Sequence, residues 1–224
     1  MNDTKRNDPF LKERLDRYDR WLRMGGISHS SKVIPVRESI EGEQWVLPTE
    51  QATAILRRAS SMAVQDCECR THYQRCDHPR EVCLLLDDIA DGLIAKDEAR
   101  PVNLAEAADI LRKANESGLV HLTLYRPDHR VYALCSCCSC CCHDLQIIEA
   151  FGRPELMVRS DYVAETEGDA CIHCGDCVER CFFGARFWRN GVVTYEPASC
   201  VGCGLCVTIC PTEATGLVPR WRTT

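Results

Sequence analysis

A chain of 224 residues with 45% hydrophobic composition is long enough for one large core or two modest ones, and no apolar run reaches the roughly 18 residues of a membrane helix. The net charge of −6 supplies no basic field for nonspecific nucleic-acid binding, so none is expected. The polar start MNDTKRNDPF has no apolar signal core, so a cytoplasmic protein is expected, in which 18 cysteines are not expected to be disulfides.

In chain order, the first 24 residues read as a helix with Leu11, Leu15, Tyr18 and Leu22 along one stripe. Arg14, Arg17, Arg20 and Arg23 run beside it, either as a solvated face or as a docking arm for an acidic redox partner. Residues 25–48, with Gly25, Gly26, Pro35 and Pro48, read as an extended linker. A second helix is expected over PTEQATAILRRASSMAVQD, with Thr49 as N-cap and Ala52, Ile55, Leu56, Ala59 and Ala63 buried. A short third helix near 80–94 precedes a fourth helical stretch, NLAEAADILRKANESGLVHL, where Asn103 and Glu106 form a capping box and Gly118 stands past the end. LVHLTLY and RVYAL alternate as a hairpin around Pro127 and Asp128. This helix, helix, helix, hairpin order is winged-helix-like. A recognition helix would need more net positive charge than Arg112 and Lys113 provide against Glu106, Asp109 and Glu116, so the helices are taken as scaffold.

The cysteines of this half fall in two runs, Cys67, Cys69, Cys76 and Cys83, then Cys135, Cys137, Cys138, Cys140, Cys141 and Cys142. The C-x-C-x6-C-x6-C spacing of the first run matches no common zinc knuckle, and zinc prefers one closed set of four with C-x2-C spacing. Ten thiols suit two [4Fe-4S] clusters with two thiols spare, or one cubane plus an atypical or open-iron site. Redox thiols and plain buried thiols are further readings. Adjacent pairs such as Cys137-Cys138 and Cys141-Cys142 do not readily share one small ion, but can face opposite sides of an extended backbone. His72, His78 and His143 lie beside the thiols, more simply as hydrogen-bonding or surface histidines than as ligands, and Arg70 either offsets the charge of a thiolate-ligated cluster or forms an ordinary ion pair.

At the C-terminus, CIHCGDCVERC and CVGCGLCVTICP repeat C-x2-C-x2-C-x3-C. Cys171, Cys174, Cys177 and Cys181 have counterparts in Cys200, Cys203, Cys206 and Cys210. Gly175, Gly202 and Gly204 supply the backbone freedom such a loop needs. ARFWRNGVVTY between the copies reads as a hairpin turning at Asn190-Gly191. Pro211 follows Cys210, whereas Phe182 follows Cys181, which leaves one more backbone N–H and reshapes the surroundings of one site.

The repeat resembles that of bacterial two-cluster ferredoxins, in which the fourth cysteine of each run ligates the other cluster. That resemblance implies one [4Fe-4S] cluster on Cys171, Cys174, Cys177 and Cys210, and another on Cys200, Cys203, Cys206 and Cys181. The order of CRTHYQRCDHPREVCL, EAADILRKANESGLVH, CSCCSCCC and DYVAETEGDACIHCGDCVERC resembles ferredoxin-type multi-cluster iron–sulfur proteins of anaerobic bacteria and archaea. In these a cysteine-rich domain precedes the ferredoxin module, and the resemblance covers about residues 45–215.

The expected fold is therefore α+β, with an N-terminal helix and linker (1–48), a helical, winged-helix-like cysteine-rich domain (49–155) and a 2[4Fe-4S] ferredoxin domain (156–224). No nucleotide or flavin motif is present. The expected function is an electron-transfer protein or subunit serving a partner oxidoreductase, with two further [4Fe-4S] clusters in the N-terminal domain. Alternatives are a reductase with an open-site cluster there and a redox-sensing regulator.

Overall fold

The computed structural model describes residues 2–24, 31–34, 55–128, 130–153 and 156–222. The expected linker and the Thr49 cap lie wholly or largely outside them. A seven-stranded sheet runs in the order β4-β2-β3-β6-β5-β1-β7, built from Arg100–Pro101, Met62–Asp66, Glu81–Leu86, Val131–Cys137, Val120–Tyr125, Ser31–Ile34 and Met157–Val158. All neighbours are antiparallel except β1 and β7.

Two sequence expectations fail here. The second helix survives only as residues 55–58 (α3) among those described, and Met62–Asp66 is the strand β2. The backbone N–H and hydroxyl of Ser60 donate to Asp87 Oδ1 at 2.7 and 2.9 Å, which stops the helix and starts the strand. The helix expected near 80–94 is the strand β3, Glu81–Leu86, followed by the helix α5, Asp87–Ile94. Its run Val82–Leu86 is buried throughout because β3 lies mid-sheet with both faces covered, so the alternation that marks a half-buried strand is absent. The winged-helix-like order therefore gives way to a sheet with helices on it.

One sheet face, with Val64, Leu84, Leu86 and Leu134, packs against the helix α6, Leu104–Glu116, through Ala107 and Leu111. The capping box expected at Asn103 and Glu106 is formed, and Gly118 takes φ 80°. Arg112 and Lys113 pair with Asp109 and Glu116 on the same helix, in keeping with a scaffold role. The other face, with Ala63, Leu85, Leu124 and Ala133, carries Ile89 and Leu93 of α5. The predicted hairpin is β5–β6.

The first 24 residues form two helices, α1 (Asn2–Arg6) and α2 (Pro9–Arg23), because Asp8 caps the second and Pro9 occupies its first turn. Leu11 and Tyr18 bury against Ile147 and Phe151 of the helix α7, His143–Phe151. The arginine stripe is not uniform. Arg14 is buried over the Phe10 ring and pairs with Glu13 and Glu68, and Arg17 lies near the Tyr18 and Trp21 rings. Arg20 and Arg23 alone of the four are exposed.

Past β7 the chain leaves the large sheet. Tyr162–Thr166 (β8) pairs with Thr215–Pro219 (β11), and Arg186–Arg189 (β9) with Val192–Tyr195 (β10). Asn190 and Gly191 both take positive φ, 51° and 79°, as a type I′ hairpin turn requires. Two short helices, α8 (Asp176–Arg180) and α9 (Leu205–Thr208), each follow a cysteine loop.

Candidate metal centres

The two copies of the C-terminal repeat adopt the same path. Gly175 and Gly204 sit at equivalent places before α8 and α9 with φ 92° and 79°. His173 and Gly202 are likewise equivalent and left-handed, at φ 51° and 74°. Space explains two of the glycines: a Cβ on Gly202 would lie 2.1 Å from the Tyr162 carbonyl, and one on Gly175 2.4 Å from Trp188 Cζ2.

Each loop wraps a cavity. One is lined by Cys171, Cys174 and Cys177 together with Cys210, the other by Cys200, Cys203 and Cys206 together with Cys181. The fourth thiol of each repeat thus reaches the other repeat's loop, as cluster exchange requires. Arg186, a residue that motif reading passed over, lines both cavities. It is buried, and its Nε and Nη2 have no hydrogen-bond partner. A buried guanidinium with idle donors between two thiolate sets fits anionic clusters on either side. Its only signal in the sequence is its place at the start of β9.

The ten N-terminal thiols divide into two sets; eight share one apolar cluster, and Cys137 and Cys142 pack in the neighbouring one. Six of them, Cys67, Cys69, Cys83, Cys135, Cys137 and Cys142, line a cavity of about 220 Å³ together with Arg70, His143, Asp144, Arg17 and Tyr132. Strand periodicity aims Cys135 and Cys137 to one face of β6, and the register that opposes Leu84 to Leu134 brings Cys83 beside them. Arg17 Nε, Arg70 Nε and Asp144 Oδ1 are buried and lack hydrogen-bond partners, so the cavity is polar and incompletely satisfied by protein atoms alone. The neighbouring Cys69 and Cys83 thiols, with Arg70 nearby, hold the Cys67 thiol below its ordinary pKa, while Cys69 and Cys83 are themselves pushed up by contact with neighbouring thiols and by burial.

His143 is not placed as a ligand. Its Nδ1 lies 2.9 Å from Cys69 Sγ and its Nε2 2.6 Å from the Tyr18 hydroxyl. As a metal ligand Cys69 would be a thiolate, and the ring would then donate from Nδ1 to its sulfur and accept at Nε2 from Tyr18. Burial pulls the imidazole pKa down, favouring this neutral form. His72 stacks on Phe10 at 4.1 Å, and His78 sits in the loop before β3.

The remaining four, Cys76, Cys138, Cys140 and Cys141, bring their sulfurs within 4.8 Å of one another. The adjacent pairs Cys137-Cys138 and Cys141-Cys142 are thereby split between the two sets, whereas Cys140 and Cys141 converge on one.

The two halves meet over the β5–β6 hairpin. Val201 and Leu205 bury against Val120, Leu122, Cys137, Cys142 and Leu145, with Phe182, Phe183 and Cys203 packed alongside. Phe182, where the ferredoxin pattern has proline, lies tilted against the Phe183 ring at 4.5 Å and packs at this junction. Arg180 donates to the carbonyls of Asn115 and Glu116, at 3.2 and 3.0 Å, closing the C-terminal end of α6.

Residues 170–214 match the 4Fe-4S dicluster domain family. The C-terminal segment is an iron–sulfur module. Similar segments occur in the archaeal-type glutamate synthase [NADPH] of Thermotoga maritima, 45% identical over 60 residues, which are 25% of this chain and 12% of that protein. The thiosulfate reductase electron transfer subunit PhsB of Salmonella typhi is 30% identical over 97 residues, 38% of this chain and 50% of its own. The formate dehydrogenase-O iron–sulfur subunit of Escherichia coli is 38% identical over 56 residues, 23% and 19% of the respective chains. The chain thus spans half or less of these relatives. Among the described residues no helix is long and apolar enough to cross a membrane.

Proposed function

We propose that this chain is an electron-transfer protein or subunit that carries electrons between the surface and an interior site of its own N-terminal domain, in the service of a larger oxidoreductase. The matched relatives include subunits named for electron transfer and for iron–sulfur content, which supports the reading. In the bound state, [4Fe-4S] clusters supply one-electron carriers, held by Cys171, Cys174, Cys177 and Cys210, by Cys200, Cys203, Cys206 and Cys181, and by members of the six-thiol cavity.

One observation carries the proposal. Cys203, of the second ferredoxin set, packs in the same apolar cluster as Cys137 and Cys142 of the six-thiol cavity. Cys174, of the first set, is exposed, with Ile172, Trp188 and Val192 presenting apolar surface on neighbouring loops and strands. The three sets therefore run from a solvent-facing edge through a half-buried middle to a buried end. Such a gradient suits a partner docking at the first set, with the chain excluding water from the last.

Iron and acid-labile sulfide on anaerobically purified protein test this. Three cubanes give about 12 iron and 12 sulfide per chain, and about 8 of each would remove the interior carrier. A second reading, a reductase working at that interior site, is favoured by the cavity itself. Six thiols exceed the four that a cubane takes, and Arg17, Tyr132 and Asp144 line space beside them. Cyanide added to the reduced protein would perturb the EPR of an iron with an open position and leave a fully thiolate-ligated cluster unchanged.

A further inference from the structure

We infer that Cys76, Cys138, Cys140 and Cys141 form a closed tetrahedral site for a single zinc ion, and not a third or fourth iron–sulfur cubane. The inference goes beyond the electron-transfer reading and does not depend on it.

Sulfur spacing decides between the two. Four thiolates on one tetrahedral zinc, each about 2.3 Å from the metal, stand about 3.8 Å apart. Cys76 Sγ lies 3.8 Å from Cys138 Sγ and 3.9 Å from Cys141 Sγ, and all four sulfurs fall within 4.8 Å of one another. A cubane interposes a cage of four irons and four sulfides, so its thiolates must stand well beyond that spacing. The same molecule supplies the comparison. Among the described residues, no three of the eight C-terminal thiols come this close, although they line the two loop cavities of the dicluster segment. No three of the six thiols around the interior cavity do so either.

The chain builds this convergence with a tight turn in which Cys138 and Cys141 stand at C-x2-C spacing and Cys140 lies between them. β6 ends at Cys137, and the N–H of Cys142 donates to the Cys138 carbonyl at 3.0 Å, closing a tight turn over residues 138–142. Three ligands come from that turn. The fourth, Cys76, comes from the loop after the helix α4, Glu68–Tyr73, where Gln74 turns the chain in the left-handed region at φ 50°.

Neighbouring groups fix the set as outer-shell partners fix a metal site. Gln146 Nε2 donates to the Cys141 carbonyl at 2.9 Å, and Arg75 Nη1 reaches Gln146 Oε1 at 2.7 Å and the Cys140 carbonyl at 3.2 Å. Arg70 directs Nη1 toward Cys138 Sγ at 3.6 Å and anchors Nη2 on the Ser136 carbonyl at 3.0 Å. The Arg70 guanidinium thus faces a tetrathiolate ion that would carry net negative charge, and Arg75 braces the backbone of its turn. With four protein ligands and no open position, the site is structural: it pins the Cys76 loop to the turn that leads into α7.

The test uses the full chain, expressed with both iron and zinc available and purified anaerobically. Elemental analysis is expected to return about one zinc per chain besides iron and sulfide, and zinc-edge absorption four sulfurs at about 2.3 Å. The double variant C140S/C141S is expected to lose the zinc while iron and sulfide per chain stay unchanged, their retention reporting that the fold persists. The C140H variant, which preserves a four-ligand set, is expected to keep zinc with one nitrogen in place of one sulfur. Wild type without zinc, paired with a loss of about four iron and four sulfide in C140S/C141S, would identify a cubane and overturn the inference. A single sulfide-free iron lost in that variant would overturn the zinc assignment as well. Either result leaves the electron-transfer reading standing.

Discussion

Replacing His143 by leucine removes the ring N–H aimed at Cys69 Sγ from 2.9 Å, with little change in side-chain volume. A donor to a ligand sulfur stabilises the more negative, reduced state of the cluster beside it, so its loss lowers the potential. A hydrogen bond contributes about 0.5–1.5 kcal/mol net, and for one electron about 59 mV corresponds to a tenfold change in equilibrium constant. The expected shift in H143L is therefore about 20–60 mV downward for the cluster proposed in the interior cavity alone. The assay is a mediated redox titration followed by EPR, with the ferredoxin pair as internal reference. His143→Asn retains an N–H near the position of Nδ1 and is expected to restore most of the potential. Tyr18→Phe removes only the donor to Nε2, at 2.6 Å, and is expected to shift the potential less. An interior potential that is unchanged or higher in H143L, with cluster content intact, would refute the argument.

Arg180→Ala removes two charge-assisted bonds to the end of α6 and is expected to weaken docking of the two halves by about 1.5–3 kcal/mol, discounted from two full bonds because one carbonyl is exposed. Hydrogen exchange should rise at residues 113–119 and at Val201–Leu205, and intramolecular electron transfer should slow without loss of iron; unchanged exchange at both would count against the junction as drawn. Gly202→Ala places a Cβ against the Tyr162 carbonyl at a left-handed φ, so the variant is expected to lose about four irons, those of the cluster on Cys200, Cys203, Cys206 and Cys181. Full iron content in that variant would show the loop able to move aside.

The C-terminal module was legible in the sequence because its chemistry is local. A ligand every three residues, glycines at three of the four left-handed loop positions, and a strict repeat fix the path of each loop before any packing is considered. Exchange of the fourth thiol came with the family resemblance, and in the structure Cys181 and Cys210 stand in each other's loop cavities. The capping box at Asn103 and the Asn190-Gly191 turn were legible for the same local reason.

The cysteine-rich half was not. Its β2 and β3 read as helix because a strand covered on both faces shows no alternation, and the run Val82–Leu86 has none. What sorts its ten thiols is the pairing of β3 with β6, strands about fifty residues apart in the chain, together with the turn that carries Cys138, Cys140 and Cys141 away from Cys137 and Cys142. Arg186 between the two ferredoxin cavities, Tyr18 and His143 behind Cys69, and Phe182 in the junction have no motif to announce them. Composition and spacing determined that this chain gathers sulfur for metal. Only tertiary contact decided which sulfurs stand close enough for one ion and which surround the room for a cluster, because that distance is set between elements and not along the chain.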